Sequence, residues 1–595
     1  MASEKTATTT VPTLAGAAEG SPFVAAKQIN SLANPSVLIV GAGIGGITLA
    51  LDLDDQGLTN WIMIDRESGV GGTWWQNRYP GCRCDIPAVA YSHSRFQNSQ
   101  WSETHPERAE LQEYWANIVK TQGLENRLRL QHDFVKADWD AEASLYHVTL
   151  RDTLNERDVH VDAQVIVGAT GAFSQPRRIP LPGEDKFQGQ IIHSARWPHD
   201  LAPKDLRGKT VVVVGNGCSG VQIVGTLGLD PEIKVVSLAR TQQWLMPSLT
   251  RGWDGARNSA PNSEQLRNFR ARFPVFQKIY RLMMLALLDS RFKTQLIKEG
   301  KSARKVHEKQ IGEWMRRRAP PHLKDKIVPD FPFQAKRYVF EDGYFAAINA
   351  PQNRAIYGRV TALTEDGVEV DDGSHVKADV VVLSTGYDAD VSGSTDSTQN
   401  YAGKGDQVWY HGVALPGIPN YFTLCGNNFL VNHSSVTIVL ELQAAYVTKL
   451  ITAMRDNSIP VLEVKQDAAE KYDKVIAQKL EKTTWPLVNN YWRKGGSGRI
   501  FTHYPGPVLN QWWDNAWVVW KDYKGGEKLA RRQRVRSIAY TVALLVGLAY
   551  GGKWAIDSGL VHRLGVRAQD LVDAVAHAAS AAKDLVVEAA HKITG

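Results

Sequence analysis

Short runs of consecutive apolar, β-branched residues punctuate the chain between Ser36 and Tyr523. "VLIV" (Val37–Val40) and "VVVV" (Val211–Val214) each end in a Gly-rich turn, and each turn leads into residues with helical apolar spacing. Strand signals alternating with helix signals predict a parallel sheet with crossover helices, an α/β fold. Between Pro247 and Pro332 the character changes. "SEQLRNFRARFPVFQKIYRLMMLALLDSRF" has apolar residues at helical spacing and few strand formers, which predicts a helical insertion. The strand pattern resumes at Ala355, where "DDGS" marks a hairpin turn.

The C-terminal stretch follows a different pattern. Ser537–Gly552 carries no charge, and the apolar character continues past Lys553. A membrane span needs roughly 20 apolar residues, a length reached over 537–556 if Lys553 snorkels to the interface. Arg531, Arg532, Arg534 and Arg536 flank its N-terminal side. By the positive-inside rule that side, with the preceding domains, faces the cytosol. The alternative is a buried helix of a soluble cytoplasmic protein. Beyond it, Leu564, Leu571, Val575, Ala578, Ala582, Leu585 and Ala589 recur every three to four residues or a multiple of that, one face of an amphipathic tail helix. The first 34 residues are small and polar and read as a disordered leader.

Composition narrows the classes. A hydrophobic fraction of 43% and a charged fraction of 22% are those of an ordinary globular protein. The net charge of +7 is modest for 595 residues, and part of it sits in the Arg531–Arg536 run, which argues against a nucleic-acid binder. Four cysteines cannot staple so long a chain, and Cys82-Arg83-Cys84 has no second pair to complete a metal site, so no metal is expected.

"VLIVGAGIGGITLA" places Gly41, Gly43 and Gly46 in a G-x-G-x-x-G spacing between strand and helix. The glycines allow a tight turn, close approach of backbone to a pyrophosphate, and helix–sheet packing, while the helix N-terminus favours the phosphates. Asp65 follows 19 residues after Gly46 and suits the hydroxyls of an unphosphorylated ribose, so FAD or NAD fits and NADP does not. "VVVVGNGCSGVQIVG" repeats the device with Gly215, Gly217 and Gly220. After its second strand stand Arg240 and Thr241 in place of an acid, as a 2′-phosphate requires. One site therefore reads as FAD and the other as NADPH, the pairing of a flavin reduced by a nicotinamide. Cys82 and Cys84 are spaced too closely for the redox pair of a disulfide reductase.

Between the two turns, "FQGQIIHSARWP" supplies Phe187, Gly189, His193, Trp197 and Pro198. Earlier, "GGTWWQNRYPGCRCD" supplies Gly71, Gly72, Trp74, Tyr79, Pro80, Gly81 and Asp85. Both resemble fingerprints of the Baeyer–Villiger monooxygenases, FAD-binding flavoproteins, over roughly Ser36 to Tyr523. The resemblance implies two Rossmann-like domains. The FAD domain would comprise 35–175 and 385–525, the NADP domain 176–247 and 335–384, with 248–334 as the helical insertion and 526–595 as membrane-anchor helix and tail. It also implies oxygen insertion from O2 beside a ketone carbonyl, giving an ester or lactone, with NADPH as reductant.

By the same resemblance Arg337 lies over the flavin as the cation that stabilises negative charge, and Asp85 orients it. Thr73, Trp74, Asp85 and Tyr91 contact FAD. Arg83, Cys84, Asp85, Asn216, Gln222 and Lys336 join Arg240 and Thr241 around NADP. His193 and its neighbours link the domains, with His193 acting in domain motion and hydrogen bonding and not in proton transfer to substrate. "LVN" (Leu430–Asn432) and Tyr491-Trp492 depart from the family pattern where substrate is expected. The C-terminal style resembles relatives acting on bulky secondary metabolites. A heteroatom (sulfur or nitrogen) monooxygenase on the same scaffold, and a redox-dead flavoprotein scaffold, are the competing readings.

Overall fold

The protein is described from a computed structural model, which covers residues 32–247, 259–387, 408–490, 492–558 and 573. Most of the leader, most of the amphipathic tail and Tyr491 lie outside the described residues. The chain divides into two compact units, Met1–Val518 and Val519–Gly595.

The first unit is built on two five-stranded parallel sheets. In the first, the order is Tyr421–Thr423, Val165–Gly168, Val37–Val40, Trp61–Asp65, Leu128–Leu130. Its central strands are buried along their whole length, as expected where helices cover a parallel sheet. Helix Ile44–Asp55 packs against the long helix Val436–Asn457. A three-stranded antiparallel sheet (His132–Asp140, Leu145–Asp152, Arg157–Ala163) adds Phe134, Tyr146 and Leu150 to a core shared with Leu38, Ile64 and Ile166.

The second sheet runs Arg354–Tyr357, Lys234–Ala239, Thr210–Val214, Val380–Leu383, Gln190–His193. Its last strand comes from the middle of the "FQGQIIHSARWP" segment. A second antiparallel set (Val360–Leu363, Gly367–Val370, His375–Lys377) contains the expected "DDGS" turn, with Gly373 at φ +81°. The chain crosses from the first sheet to the second between Gly168 and Gln190, and returns between Leu383 and Tyr421. The insertion is helical, with helices Glu264–Arg272, Pro274–Ser290 and Lys301–Arg318.

In the second unit, Glu527–Asp557 forms a single helix of 31 residues that contains the 537–556 run. Its Tyr540, Leu544, Tyr550 and Trp554 are exposed. Among the described residues one helix, Val436–Asn457, is long and apolar enough by composition to cross a membrane, and more than half of it is buried inside the first unit, which makes it a core helix there.

Candidate active site

A cavity of about 490 Å³ opens at the C-terminal ends of the first sheet and reaches the second glycine turn. This is where open parallel sheets bind ligands. Gly41 sits at φ +117°, and a Cβ there would lie 2.5 Å from the Ala169 carbonyl oxygen. A Cβ on Gly46 would strike the Gly41 carbonyl at 1.9 Å, and one on Gly72 would lie 2.9 Å from the Gly43 Cα. The first turn is thus a bare backbone cradle. At its rim Asp65 accepts from the Ala42 and Glu67 N–H groups at 2.7 and 2.9 Å. Burial outweighs these bonds and pushes its carboxyl up to about 6.

Thr73, Trp74 and Tyr91 line the cavity. Trp74 Nε1 donates to the Tyr91 hydroxyl at 3.0 Å, and the two rings meet edge to face. The hydroxyls of Ser384 and Ser434, also on the wall, have no partner among the described residues. A glycine cradle, an acid at the second strand end, and unpartnered hydroxyls on the wall fit a dinucleotide with a polar ring edge.

Arg337 and Asp85, 252 positions apart, meet at this cavity. Arg337 Nε and Nη2 both donate to Asp85 Oδ2, at 3.1 and 2.5 Å, and Nη1 donates to the Asn432 carbonyl at 3.4 Å. Burial by itself would lower the Arg337 pKa, but Asp85 and Cys218 outweigh it and hold the guanidinium above its ordinary value. The site therefore contains a permanent, oriented cation whose own charge is only partly consumed, since each side chain keeps about a quarter of its surface exposed.

The second turn repeats the first. A Cβ on Gly215 would lie 2.5 Å from the Ser384 carbonyl, one on Gly220 would strike the Gly215 carbonyl at 2.0 Å, and Gly217 faces open space. Asn216 Nδ2 donates to the Thr241 carbonyl at 2.8 Å, which ties the turn to the Arg240–Thr241 loop. Arg240 and Thr241 are exposed. Lys336 lies with its Nζ 4.5 Å from the Phe331 ring centroid, and burial followed by the nearby Arg240 charge lowers its pKa. Two cations held close enough to repel each other make a ready site for a phosphate dianion.

Three placements add to the sequence reading. Arg83 lines the cavity, and its side chain, only 4% exposed, is also engaged by Glu103, Glu107 and Asp342. Gln222 is held the same way: it accepts from the Tyr79 hydroxyl at 3.0 Å and donates to the Arg83 carbonyl at 3.2 Å. Cys84 is buried beside Asp85, and burial raises its thiol pKa well above normal. All four cysteines are free and line the cavity, so no disulfide relay is present.

The linking segment also resolves. Phe187 belongs to the core of the second sheet, and a Cβ on Gly189 would collide with its ring at 2.5 Å. Trp197 is buried and donates Nε1–H to the Leu201 carbonyl at 2.9 Å, with Pro198 next in the chain. His193 Nδ1 accepts from the Ala195 N–H at 3.1 Å, so Nε2 carries the proton and donates to Thr385 Oγ1 at 3.2 Å; Thr385 donates in turn to the Arg177 carbonyl at 2.6 Å. Burial lowers the His193 pKa, which keeps the ring neutral and this chain directional. The relay joins the edge strand of the second sheet to both chain crossings between the sheets.

One contact had no counterpart in the sequence reading. His433 Nε2 lies 2.9 Å from Asp289 Oδ1, and the same carboxylate accepts from the Val508 and Leu509 N–H groups. The end of the insertion helix, the loop bearing Asn432, and the helix Val508–Ala516 are thereby pinned at one carboxylate. Gln277, Arg281 and Asp289, spaced by multiples of four, are the sequence signal that marks the inner stripe of this helix.

A family model described as pyridine nucleotide-disulphide oxidoreductase matches residues 35–253. Among solved structures, the chain is similar to OTEMO in complex with FAD and NADP (TM-score 0.70, 24% identity, covering 82% of this chain and 99% of that one). An oxidized steroid monooxygenase bound to NADP matches with the same TM-score, identity and coverage. These likenesses establish the fold. A Baeyer–Villiger monooxygenase of Pseudomonas aeruginosa is 31% identical over 489 residues, 79% of this chain and 87% of that protein. The chain belongs to the Baeyer–Villiger monooxygenases, NADPH-dependent flavoproteins that use FAD.

Proposed function

We propose that this monooxygenase converts a bulky ketone of secondary metabolism to the ester or lactone, consuming O2, NADPH and a proton and releasing NADP+ and water. The observation that carries the reading is the Arg337–Asp85 pair at the cavity. Bound FAD, reduced by NADPH, supplies the oxygen-activating chemistry. The protein's own part is electrostatic. Arg337 holds positive charge where negative charge develops, in a site with few competing waters. Asp85 fixes the guanidinium plane through two donors on one oxygen. Arg240 and Lys336 bind the 2′-phosphate, and Asp65 binds the adenosine ribose of FAD. Phe429, Leu430, Val431 and Leu440 supply an apolar wall for the substrate. We assign 35–175 and 385–525 to the FAD domain, and 176–247 and 335–384 to the NADP domain.

Arg337→Ala tests the reading. The variant is expected to be reduced by NADPH under anaerobic mixing yet to form no ester from a ketone panel under labelled dioxygen. Ester at a near-normal rate would remove Arg337 from the chemistry. Sulfoxide from thioethers, without ester from any ketone, would assign the protein to heteroatom oxidation.

We also propose that helix Glu527–Asp557, which reaches a spanning apolar length only with Lys553 snorkelling to the interface, anchors the protein in a bilayer over 537–556, with the four arginines on the cytosolic side. Deletion after Arg536 should move the protein from the membrane to the soluble fraction. Unchanged fractionation would refute the anchor.

A further inference from the structure

Two helices of the first unit have their polarity reversed. On Pro274–Ser290 the buried positions are Gln277 (2% exposed), Arg281 (6%) and Leu288. Gln277 donates to the Asn98 carbonyl, and Arg281 donates to the Ser92 carbonyl and pairs with Glu441. The exposed positions are Val275, Phe276, Ile279, Leu282, Met283 and Leu287, with Leu282 and Met283 64% and 65% exposed. Helix Val508–Ala516 repeats the inversion. Gln511 and Asn515 are buried, while Leu509, Trp512, Trp513 and the following Trp517 are exposed. Asp289 joins the end of the first helix to the start of the second, so the two helices that carry these exposed apolar positions meet at one carboxylate.

A surface helix in water hides its apolar stripe and exposes its polar one. Here the polar stripe is turned inward and makes hydrogen bonds there, which leaves an apolar patch far larger than scattered surface residues explain. The same segment is strongly cationic: residues 264–318 contain 15 Lys and Arg against 5 Asp and Glu. That excess is larger than the net charge of the whole chain, so the remainder is slightly acidic. Lys278 is exposed on the helix itself, Arg272 just before it, and Lys293, Lys298 and Lys301 in the segment that follows. Exposed leucine and methionine, tryptophans beside them and a cationic surround are the composition of a helix lying in the headgroup region of an anionic bilayer. A second copy of this chain would bring the same cations face to face.

We propose that the outward faces of helices Pro274–Ser290 and Val508–Ala516 dock in-plane on an anionic lipid surface. This contact is separate from the helix Glu527–Asp557 and independent of the reaction assigned above.

The test uses the full-length chain with an environment-sensitive fluorophore on Val275→Cys. Leu154→Cys, an exposed site on the antiparallel sheet, serves as reference, and the unsubstituted chain gives the labelling background of the native thiols. Vesicles of phosphatidylcholine and phosphatidylserine are expected to blue-shift the Val275 probe and expose it to quenching by brominated acyl chains, while the Leu154 probe is unchanged. The shift should weaken in high salt and disappear in the Leu282→Glu, Met283→Glu double variant. An unchanged Val275 probe in protein that co-sediments with vesicles would overturn the proposal and leave the C-terminal helix as the lipid contact. An unchanged probe in protein that does not co-sediment would overturn it as well. A shift that tracks protein concentration without lipid would also overturn it, assigning the face to a second copy.

Discussion

Replacing Asp85 with Ala separates the orientation of Arg337 from its charge. In the native site Asp85 Oδ2 takes two of the three hydrogen bonds that Arg337 makes, and the third, to the Asn432 carbonyl, is long at 3.4 Å. The variant keeps the cation but leaves it held by that one weak contact. A charge-assisted hydrogen bond contributes about 1.5–3 kcal/mol. If orientation is what the pair provides, oxygenation should slow by about 10- to 150-fold. Asp85→Asn, which retains one acceptor, should fall between. Reduction of the flavin by NADPH does not need the guanidinium aimed at oxygen, so anaerobic stopped-flow should show reduction slowed far less. The discriminating quantity is ester formed per NADPH oxidised, with hydrogen peroxide accounting for the difference. Equal slowing of both half-reactions, with the coupling ratio unchanged, would refute the reasoning, because it would mean that Asp85 only supports the fold or NADPH binding.

Three further outcomes follow from the geometry. Arg240→Ala and Lys336→Ala should each raise the KM for NADPH at least about tenfold while leaving that for NADH nearly unchanged, since each removes a charged partner of the 2′-phosphate; equal losses for both nucleotides would exclude that assignment. The Asp65 carboxyl is raised by burial from its ordinary 3.8 to about 6, so the acceptor-only form that binds ribose hydroxyls is lost as pH falls through about 6. FAD affinity of the apoprotein should drop over that range, measured by flavin fluorescence, and Asp65→Asn should lie flat; a flat wild-type profile would contradict it. His193→Ala and Thr385→Val should each lower ester yield per NADPH, and the double variant should be no worse than either alone, with a coupling energy of about 0.5–3 kcal/mol; additive losses would mean that the relay is not a unit.

The parts of this molecule that were legible in its sequence are those written locally. Both glycine turns, the strands that precede them and the acid at Asp65 each depend on neighbours a few residues away, and the α/β architecture follows from their alternation. Arg337 and Asp85 are 252 positions apart, and only the likeness of "YPGCRCD" and the Lys336-Arg337 segment to known fingerprints brought them together. The resemblance places Arg83 near NADP but carries no sign of its ion pairs with Glu103, Glu107 and Asp342, which lie up to 259 positions away. The insertion was recognised as helical from its spacing, yet spacing reveals that a helix has an apolar face and not which way that face points. The buried stripe of Gln277 and Arg281 reverses the usual assignment, and nothing short of the packed structure locates Ser92, Asn98 and Glu441 against it.

The four thiols on the cavity wall carry one more consequence. Burial pushes Cys82 up to about 12 and Cys218 to about 11, and raises Cys84 and Cys425 above the normal thiol range as well. Oxidants attack the thiolate, and at neutral pH these sulfurs are almost wholly protonated. Thiols held in the protonated form give this chamber a wall of low reactivity, so peroxide added to the protein should modify these four cysteines slowly.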